Sequence, residues 1–297
     1  MRLLSDFDGV WTHPRDEAVA QGEILDGSLV DWIDPALRSD AKAGLAYMRR
    51  EVRANPGRYG WAPGGRLTTF ADEDPFAEHS GLLHYLHLHA EEDPVVDALL
   101  AAIREHGHDS LDSFGGWTHK EGVQKVEAAR GPAILAAAAD AGRTLLAGGV
   151  EIVLVSNSGT DKLVRWFTHA KVPNTVHPER PEGSLWLRGG ARKFMLEPDA
   201  SHLLKMGDIE IETRRPFYEE ILREEMPQAV VGDVFSLDLA LPLQLKRTEP
   251  AWRDVRLFWL ARDYASPMIR RALMAHAPEV EIIEDGLEGV ASRIKQG

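Results

Sequence analysis

Short, nearly unbroken apolar runs recur along the chain and are typical of buried parallel strands. The first is residues 3–4, and later runs occupy 150–155, 228–231 and 255–260. A fifth run, at 280–283, is predicted to be an edge strand. The spacing of these runs leaves room for a helix between most consecutive strands. The chain is therefore predicted to be an α/β protein built on a parallel sheet flanked by helices.

The long stretch between the first two strands has a different pattern. Its apolar positions follow a helical period, and helices are predicted at 35–53, 94–105 and 131–146. Proline and glycine residues mark loops near residues 55–57 and 62–65. A large, mainly helical insertion is therefore predicted directly after the first strand.

Prolines interrupt the pattern after the second strand. Residues 184–188 and 191–196 are predicted to form a hairpin. Prolines at the first helical position favour helices at 216–225 and 266–275. These elements complete the sheet and its covering helices.

Polar side chains follow the strands where ligands of open α/β sheets bind. Asp6 and Asp8 come directly after the first strand, and Gly9 allows the chain to leave the strand in an unusual conformation. Ser156 ends the second strand, and Asp233 ends the third. Two carboxylates so close together repel each other unless a hard cation lies between them or one is protonated. The sequence thus places candidate chemistry at one edge of the sheet.

Composition narrows the classes of protein. The 297 residues are 44% apolar, which suits a folded chain with a large core, and no stretch is apolar enough to cross a membrane. The absence of a signal-like N-terminus makes a cytoplasmic protein the expectation. With no cysteine, any metal must use oxygen or imidazole ligands. The net charge of -13 argues against a nucleic-acid partner. An acidic chain without cysteine is compatible with a monomer and with a homodimer.

Three segments together resemble motifs of the haloacid dehalogenase-like (HAD) hydrolases. The first motif, Asp-x-Asp-x-(Val/Thr)-(Thr/Val), is matched by Asp6, Asp8 and Val10 and loosely by the pair Trp11-Thr12. Ser156 matches the hydroxyl residue of the second motif, and the stretch from Gly232 to Asp238 matches the fourth, Gly-Asp-x-x-x-x-Asp. The resemblance implies a HAD-like Rossmannoid sheet as the core domain, formed by 1–12 and 149–297. It also implies that residues 13–148 form a C1-type cap domain.

The resemblance also implies an activity and its residues. Asp6 would be the nucleophile of a phosphatase that forms an aspartyl-phosphate, and Asp8 would be its general acid and base. Mg²⁺ would be held by Asp6, by Asp8 through its backbone carbonyl, by Asp233 and by Asp238. Ser156 and Asn157 would bind the substrate phosphate. A small phosphorylated metabolite is the implied substrate class, and an acid at the position of Asp8 favours phosphatases over dehalogenases.

The third motif of the family is the one that the sequence matches least well. Arg215 followed by Pro216 stands where a Lys-Pro pair is expected, so Arg215 is a candidate catalytic and phosphate-binding cation. Lys205 is a second candidate for binding phosphate, and Lys193 is another alternative. The sequence leaves open which of the three approaches the nucleophile.

Two functional alternatives follow from the same motifs. A phosphotransferase such as a phosphomutase would shield the aspartyl-phosphate from water. A non-catalytic HAD-like scaffold would bind a ligand or partner without turnover, as the missing Lys-Pro pair and the large insertion suggest.

Two segments of the insertion suggest further roles. The segment 79–92 carries histidines at 79, 84, 87 and 89, which indicate either a metal site or an amphipathic helix with partly exposed histidines. The aromatic and glycine-rich segment 114–120 is a candidate substrate loop or an ordinary packed turn.

Overall fold

The computed structural model describes residues 1–198 and 202–296. Within them are eleven strands, numbered in chain order: β1 Arg2–Ser5, β2 Gly60–Trp61, β3 Thr69–Phe70, β4 Glu151–Val155, β5 Asn174–Val176, β6 Leu185–Arg188, β7 Leu203–Met206, β8 Ile209–Glu212, β9 Ala229–Gly232, β10 Arg256–Leu260 and β11 Val280–Ile283. The described residues also form twelve α-helices: α1 Arg15–Trp32, α2 Arg38–Ala54, α3 Pro75–Leu88, α4 Pro94–Glu105, α5 Leu111–Arg130, α6 Ala136–Ala147, α7 Thr160–His169, α8 Pro216–Glu225, α9 Phe235–Asp238, α10 Ala240–Thr248, α11 Pro267–His276 and α12 Gly286–Gln296.

Seven of the strands form one parallel sheet in the order β11-β10-β9-β1-β4-β6-β5. The strand nearest the N-terminus lies at its centre, with Leu4 opposite Val153 of β4 on one side and Val230 of β9 on the other. Helices flank the sheet, so the predicted α/β class with a parallel sheet is confirmed. Because parallel strands share one direction, the ends of β1, β4 and β9 meet at one edge.

The sheet has its own apolar core, which extends beyond the strands. Phe7 and Trp11, just after β1, are fully buried, and the indole nitrogen of Trp11 donates a hydrogen bond to Ser5 Oγ (2.9 Å). Gly142 of α6 leaves space for this indole, because a Cβ there would lie 2.4 Å from Trp11 Cη2. Helix α6 therefore packs in the core of the sheet.

The chain divides into two compact units. One comprises residues 1–13 and 132–297, and the other is the continuous segment 14–131. The predicted insertion, 13–148, was too long at its C-terminal end, because α6 contributes Ala138, Leu145 and other residues to the core of the sheet unit. The pattern of α6 is that of any buried helix, so the sequence does not tell which core it joins.

The helical unit is built around a separate apolar core. Its buried residues include Leu25 and Leu29 of α1, Leu82 of α3 and Leu99 of α4. The prediction of a substrate loop or a packed turn at 114–120 is wrong, since this segment lies inside α5 and Phe114 is fully buried. None of the helices in the described part of the chain is long and apolar enough to cross a membrane.

One prediction in the sheet unit is also wrong. Residues 184–188 and 191–196 do not form a hairpin, because β6 pairs in parallel with β4 and β5. The segment after β6 is irregular, and it bends through Gly190, whose φ is +67°. This irregular segment carries Lys193 towards the sheet edge.

Candidate active site

Asp6 and Asp8 lie at the carboxyl end of β1. The backbone N–H of Asp6 donates to Val231 O of β9 (3.0 Å), which keeps Asp6 in register with the sheet. Its side chain is mostly buried, whereas that of Asp8 is 31% exposed. Gly9 has φ +76°, and a Cβ at this position would lie 1.9 Å from Asp233 Oδ2. A glycine is therefore required for the β1 turn to approach Asp233 so closely.

Lys193 is the cation that reaches Asp6. Its ammonium lies 2.5 Å from Asp6 Oδ1 and 2.7 Å from Asp238 Oδ1, and its side chain is only 1% exposed. A buried ammonium is strongly disfavoured without such partners. Two carboxylates therefore hold one lysine at the edge of the sheet.

The backbone of Lys193 is fixed as well, and its ammonium has a further contact. Its N–H donates to Asn157 Oδ1 (2.8 Å), and its carbonyl accepts a hydrogen bond from Arg215 (2.6 Å). The ammonium also lies 5.6 Å from the ring centroid of Tyr218, whose hydroxyl donates to Asp238 O (2.9 Å). These contacts place the lysine without help from regular secondary structure.

The carboxylates of the site outnumber its buried lysine. Burial raises the pKa of Asp6 to about 8, and the charges of Asp238 and Asp8 add to this, whereas Lys193 lowers it. Burial alone would lower the pKa of Lys193, but Asp238 and Asp6 raise it above its ordinary value. Lys193 is therefore protonated, and further positive charge is needed for Asp6 to be fully ionised at neutral pH.

Asp233 follows β9 and is held from two sides. Its Oδ2 accepts a hydrogen bond from the hydroxyl of Tyr264 (2.7 Å), and its backbone carbonyl accepts one from the indole of Trp259 (2.7 Å). Gly232, the last residue of β9, lets the chain pass close to Asp238, since a Cβ there would lie 2.3 Å from Asp238 Cβ. The Gly-Asp pair thus brings two carboxylates to one place.

The donor set fits a hard divalent cation. Asp6, Asp233 and Asp238 each offer an oxygen, and these atoms lie within 4.8 Å of one another. Carboxylate oxygens are the ligands that Mg²⁺ prefers. Asp238 already accepts hydrogen bonds on both oxygens, from Lys193 (2.7 Å) and from the N–H of Val234 (3.1 Å). It is therefore better suited to hold Lys193 than to bind an ion directly.

Ser156 directly follows β4 and is almost fully buried. Its hydroxyl oxygen accepts a hydrogen bond from the N–H of Ser158 (3.0 Å), which shapes the turn before α7. The hydroxyl hydrogen can still be donated, so the turn role and a phosphate role are compatible. Beyond this turn, Ser158 Oγ donates to Asp8 Oδ2 (3.0 Å) and Lys162 Nζ lies 3.6 Å from Asp8 Oδ1.

The structure corrects the roles expected for Arg215 and Lys205. Arg215 is fully buried and contacts the backbone of Lys193, so it supports the cation near Asp6 instead of supplying it. Lys205 lies on β7 and pairs with Glu210 of β8 (2.7 Å), with 69% of its side chain exposed. The side-chain oxygen of Asn157 accepts the hydrogen bond from the N–H of Lys193, whereas a phosphate would be bound through the side-chain NH2 group.

The sequence did not single out Ser158, Lys162 and Tyr264. Ser158 follows the second motif directly, which is the signal that could have identified it. Lys162 and Tyr264 reach the site from α7 and from the loop after β10, and no motif marks them.

The remaining candidate metal sites are explained by other contacts. In the described residues, no group of three possible ligand atoms includes the histidines of α3. A second such group, His177, Glu224 and Glu225, is surrounded by arginines: Arg188 lies 2.6 Å and Arg180 2.9 Å from Glu225. These ion pairs neutralise the carboxylates without a metal.

No protein-family model matches this sequence, and no curated protein matches it. Solved structures match it over almost its whole length. One is magnesium-bound YfnB from Bacillus subtilis, described as a HAD-hydrolase, at 13% identity, with 99% of this chain and 97% of that chain covered and a TM-score of 0.43. Another is 2-haloacid dehalogenase from Pseudomonas syringae pv. Tomato DC3000, at 13% identity, with 99% and 98% covered and a TM-score of 0.40. At this level of similarity, the function has to be inferred from the residues of the site.

Proposed function

We propose that this protein is a Mg²⁺-dependent phosphatase of the HAD-like superfamily, acting on a small phosphorylated metabolite. The observation that carries the proposal is the ammonium of Lys193 between Asp6 (2.5 Å) and Asp238 (2.7 Å), beside Asp233 at the sheet edge. A carboxylate, a fixed cation and further oxygen ligands are the groups that attack on a phosphate ester requires.

In the first step, a carboxylate oxygen of Asp6 forms a bond to phosphorus in line with the leaving oxygen. The bond between phosphorus and the leaving oxygen breaks, and its electron pair stays on that oxygen. Asp8 gives its proton to the leaving oxygen, so an alcohol departs and an aspartyl-phosphate is left on Asp6. Lys193 stabilises the negative charge on the oxygens of the phosphoryl group.

In the second step, water attacks the phosphorus of the aspartyl-phosphate. Asp8, now ionised, takes the proton of the water, and the bond between Asp6 and phosphorus breaks. Inorganic phosphate leaves, and both aspartates return to their starting states. Ser156 can donate a hydrogen bond to a phosphoryl oxygen in both steps, since its hydroxyl hydrogen is available.

Asp6, Asp233 and the backbone carbonyl of Asp8 would hold Mg²⁺. When bound, the ion supplies the positive charge that lets a carboxylate approach a phosphate dianion. The raised pKa of Asp6 supports this need, because Lys193 alone does not balance the neighbouring carboxylates.

Asp8 supports a phosphatase over a dehalogenase. A carboxylic acid beside the nucleophile can protonate an oxygen leaving group, whereas a halide leaves without a proton. The contact between Lys193 and Asp6 (2.5 Å) also argues against a non-catalytic scaffold, which would not need a buried cation at the nucleophile. We propose that the helical unit, residues 14–131, is the C1-type cap that selects the substrate.

Hydrolysis of p-nitrophenyl phosphate, with and without Mg²⁺, tests the proposal. The wild type should require Mg²⁺, and Asp6→Asn should lose at least about a thousandfold in kcat because the nucleophile is removed. The matched control is Asp161→Asn, an exposed aspartate on α7 that should retain activity.

A wild type inactive on this substrate is next tested with beryllofluoride, which mimics an aspartyl-phosphate. Beryllofluoride with Mg²⁺ should raise the melting temperature of the wild type and not that of Asp6→Asn. Failure of both the activity and the stabilisation would contradict the proposed function.

A further inference from the structure

Ser158 and Lys162 converge on Asp8 from the start of α7. Ser158 Oγ donates to Asp8 Oδ2 (3.0 Å), and Lys162 Nζ lies 3.6 Å from Asp8 Oδ1. The two oxygens of the carboxyl group therefore face different partners. A carboxyl group contacted on both oxygens has little freedom to rotate about its χ2 angle.

Lys162 is itself held in place. Its ammonium lies 4.8 Å from the ring centroid of Trp166, one turn later on the same helix, and 5.6 Å from that of Phe7. Both rings are buried, and the lysine side chain is only 13% exposed. Cation–π contacts of this kind restrict a side chain that would otherwise be mobile. Lys162 therefore presents a fixed charge to Asp8.

The start of α7 is fixed relative to the sheet by two neighbouring loops. Ser158 N donates to Ser156 Oγ at the end of β4 (3.0 Å), and Ser158 O accepts from the N–H of Gly190 (2.9 Å). Gly189 passes so close to α7 that a Cβ there would lie 2.4 Å from Thr160 N. These backbone contacts therefore fix the positions of Ser158 and of the start of α7, from which Lys162 extends.

From this geometry we infer that Ser158 and Lys162 are positioning residues for Asp8. They orient the Asp8 carboxyl group so that its proton reaches the leaving oxygen as the bond between phosphorus and that oxygen breaks. The inference rests on the proposed function, in which Asp8 is the general acid. General acid catalysis depends on hydrogen-bond geometry and contributes about a hundred- to ten-thousandfold to rate.

This role has a consequence that depends on the leaving group. An alkyl phosphate releases a basic alkoxide that needs a proton as it departs, whereas p-nitrophenolate leaves well without one. A defect in the orientation of Asp8 should therefore slow alkyl esters much more than the aryl ester. A defect in phosphate binding or folding should slow both alike.

The test compares hydrolysis of glycerol 2-phosphate and p-nitrophenyl phosphate by the full-length protein with Mg²⁺. In Lys162→Met and Ser158→Ala, kcat for the alkyl ester should fall about tenfold to a hundredfold, and that for the aryl ester by less than about threefold. Lys162→Arg should recover part of the loss because it keeps the charge. The matched control, Lys171→Met, removes an exposed lysine just after α7 and should leave both rates unchanged.

A second set of variants links the effect to Asp8. In an Asp8→Asn background, Lys162→Met and Ser158→Ala should change the alkyl-ester rate by less than about twofold, because residues that act through Asp8 lose their effect without it. Melting temperatures of all variants show whether a loss of rate reflects a loss of folded protein.

Equal losses on both esters, or a full effect in the Asp8→Asn background, would overturn the inference. A wild type that hydrolyses only the aryl ester would also overturn the inference, since Asp8 would then have no alkoxide leaving group to protonate. Failure of the proposed function gives a different result, in which Asp6→Asn keeps its activity or the wild type has none.

Discussion

Lys193 is a buried lysine whose position depends on three side chains distant in sequence. Asn157 and Arg215 hold its backbone, and Asp238 holds its ammonium (2.7 Å) opposite Asp6. Removing one member of a buried charge cluster leaves the others without compensation. The lysine therefore bears on both activity and stability.

We predict that Lys193→Met lowers kcat at least about a hundredfold, because the phosphoryl oxygens lose a fixed positive charge. Its unfolding free energy should fall by about 3–5 kcal/mol at neutral pH, as expected when a buried ion pair loses one partner. Lys193→Arg should also be slow, since a fork-shaped guanidinium does not fit a site shaped for an ammonium. Steady-state kinetics and chemical denaturation measure the two effects.

Lys205→Met is the control for this prediction, because Lys205 pairs with Glu210 at an exposed hairpin. It should keep both activity and stability. If Lys205→Met lost activity and Lys193→Met did not, the assignment of the cation would be wrong.

Gly9 offers a second test at the scale of one residue. Gly9→Ala would place a methyl group 1.9 Å from Asp233 Oδ2, at a φ of +76°. We expect Asp233 to move, so that the Mg²⁺ concentration for half-maximal activity rises about tenfold or more and kcat falls. Activity measured across a Mg²⁺ titration gives both values.

Gly149→Ala is a control that has the backbone strain of Gly9→Ala without the displacement of a neighbouring side chain. Gly149 has φ +77°, and no atom lies within 4 Å of an added Cβ. It should cost about 1–2 kcal/mol of stability through backbone strain alone and leave the Mg²⁺ dependence unchanged. If Gly9→Ala and Gly149→Ala raised the Mg²⁺ concentration for half-maximal activity equally, the contact with Asp233 would be unimportant.

The acidic residues of the site could be predicted from the sequence, whereas its cation could only be narrowed to Arg215, Lys205 or Lys193. Asp6, Asp8 and Asp233 directly follow apolar strands, and parallel strand ends meet at one edge of a sheet. Lys193 lies in an irregular segment, where no periodicity shows the direction of a side chain. Its place depends on contacts from α8 and from the turn after β4, which only the folded chain reveals.

Helix α3 carries a buried histidine that makes the helical unit sensitive to acid. His84 is 8% exposed, and within the described residues its Nδ1 has no hydrogen-bond partner. Burial lowers the pKa of His84 to about 4, and the charges of His87 and Arg58 add to the effect. His84 is therefore neutral in the folded protein at physiological pH.

Because the unfolded chain takes up this proton near pH 6.5 and the folded unit only near pH 4, stability is lost as the pH falls between these values. From pH 7 to pH 5 this histidine should cost about 1–2 kcal/mol, so the change in unfolding free energy between the two pH values should be less favourable by that amount in the wild type than in His84→Leu. Denaturant unfolding followed by circular dichroism at the two pH values measures the difference. If His84→Leu kept the full pH dependence, the buried histidine would not be its cause.

At the scale of elements, prediction succeeded where local sequence determines structure. The helix 94–105 and the strand 280–283 are confirmed to the residue. Pro94 can occupy the first turn of a helix, and the strand coincides with a short, mainly apolar run. The aromatic and glycine-rich segment 114–120 is predicted to be a substrate loop or a packed turn, but it lies inside α5. Phe114 packs in the core and holds that segment in a helix, so tertiary packing overrides local preference.

For the whole molecule, the two units differ in how they depend on the continuity of the chain. The helical unit is one uninterrupted segment, 14–131, with an apolar core of its own. The sheet unit needs both 1–13 and 132–297. The insertion predicted from the sequence, 13–148, extends beyond this unit and includes α6, because α6 resembles the helices before it.

We predict that residues 14–131 expressed alone form a helical protein that unfolds cooperatively, because their core is complete within the segment. Residues 132–297 alone should not unfold cooperatively, since they lack the central strand β1. Thermal unfolding of both fragments, followed by circular dichroism, is the measurement. A cooperative transition in 132–297 would show that β1 is dispensable for the sheet.

The central place of β1 in the sheet also has a consequence for synthesis. On the ribosome, β1 is made well before its neighbours β4 and β9, which follow only at residues 151–155 and 229–232. The helical unit is complete long before then and can fold while β1 is still unpaired. The proposed nucleophile Asp6 is thus translated long before Lys193 and Asp238, and its site can assemble only after the chain has passed Asp238.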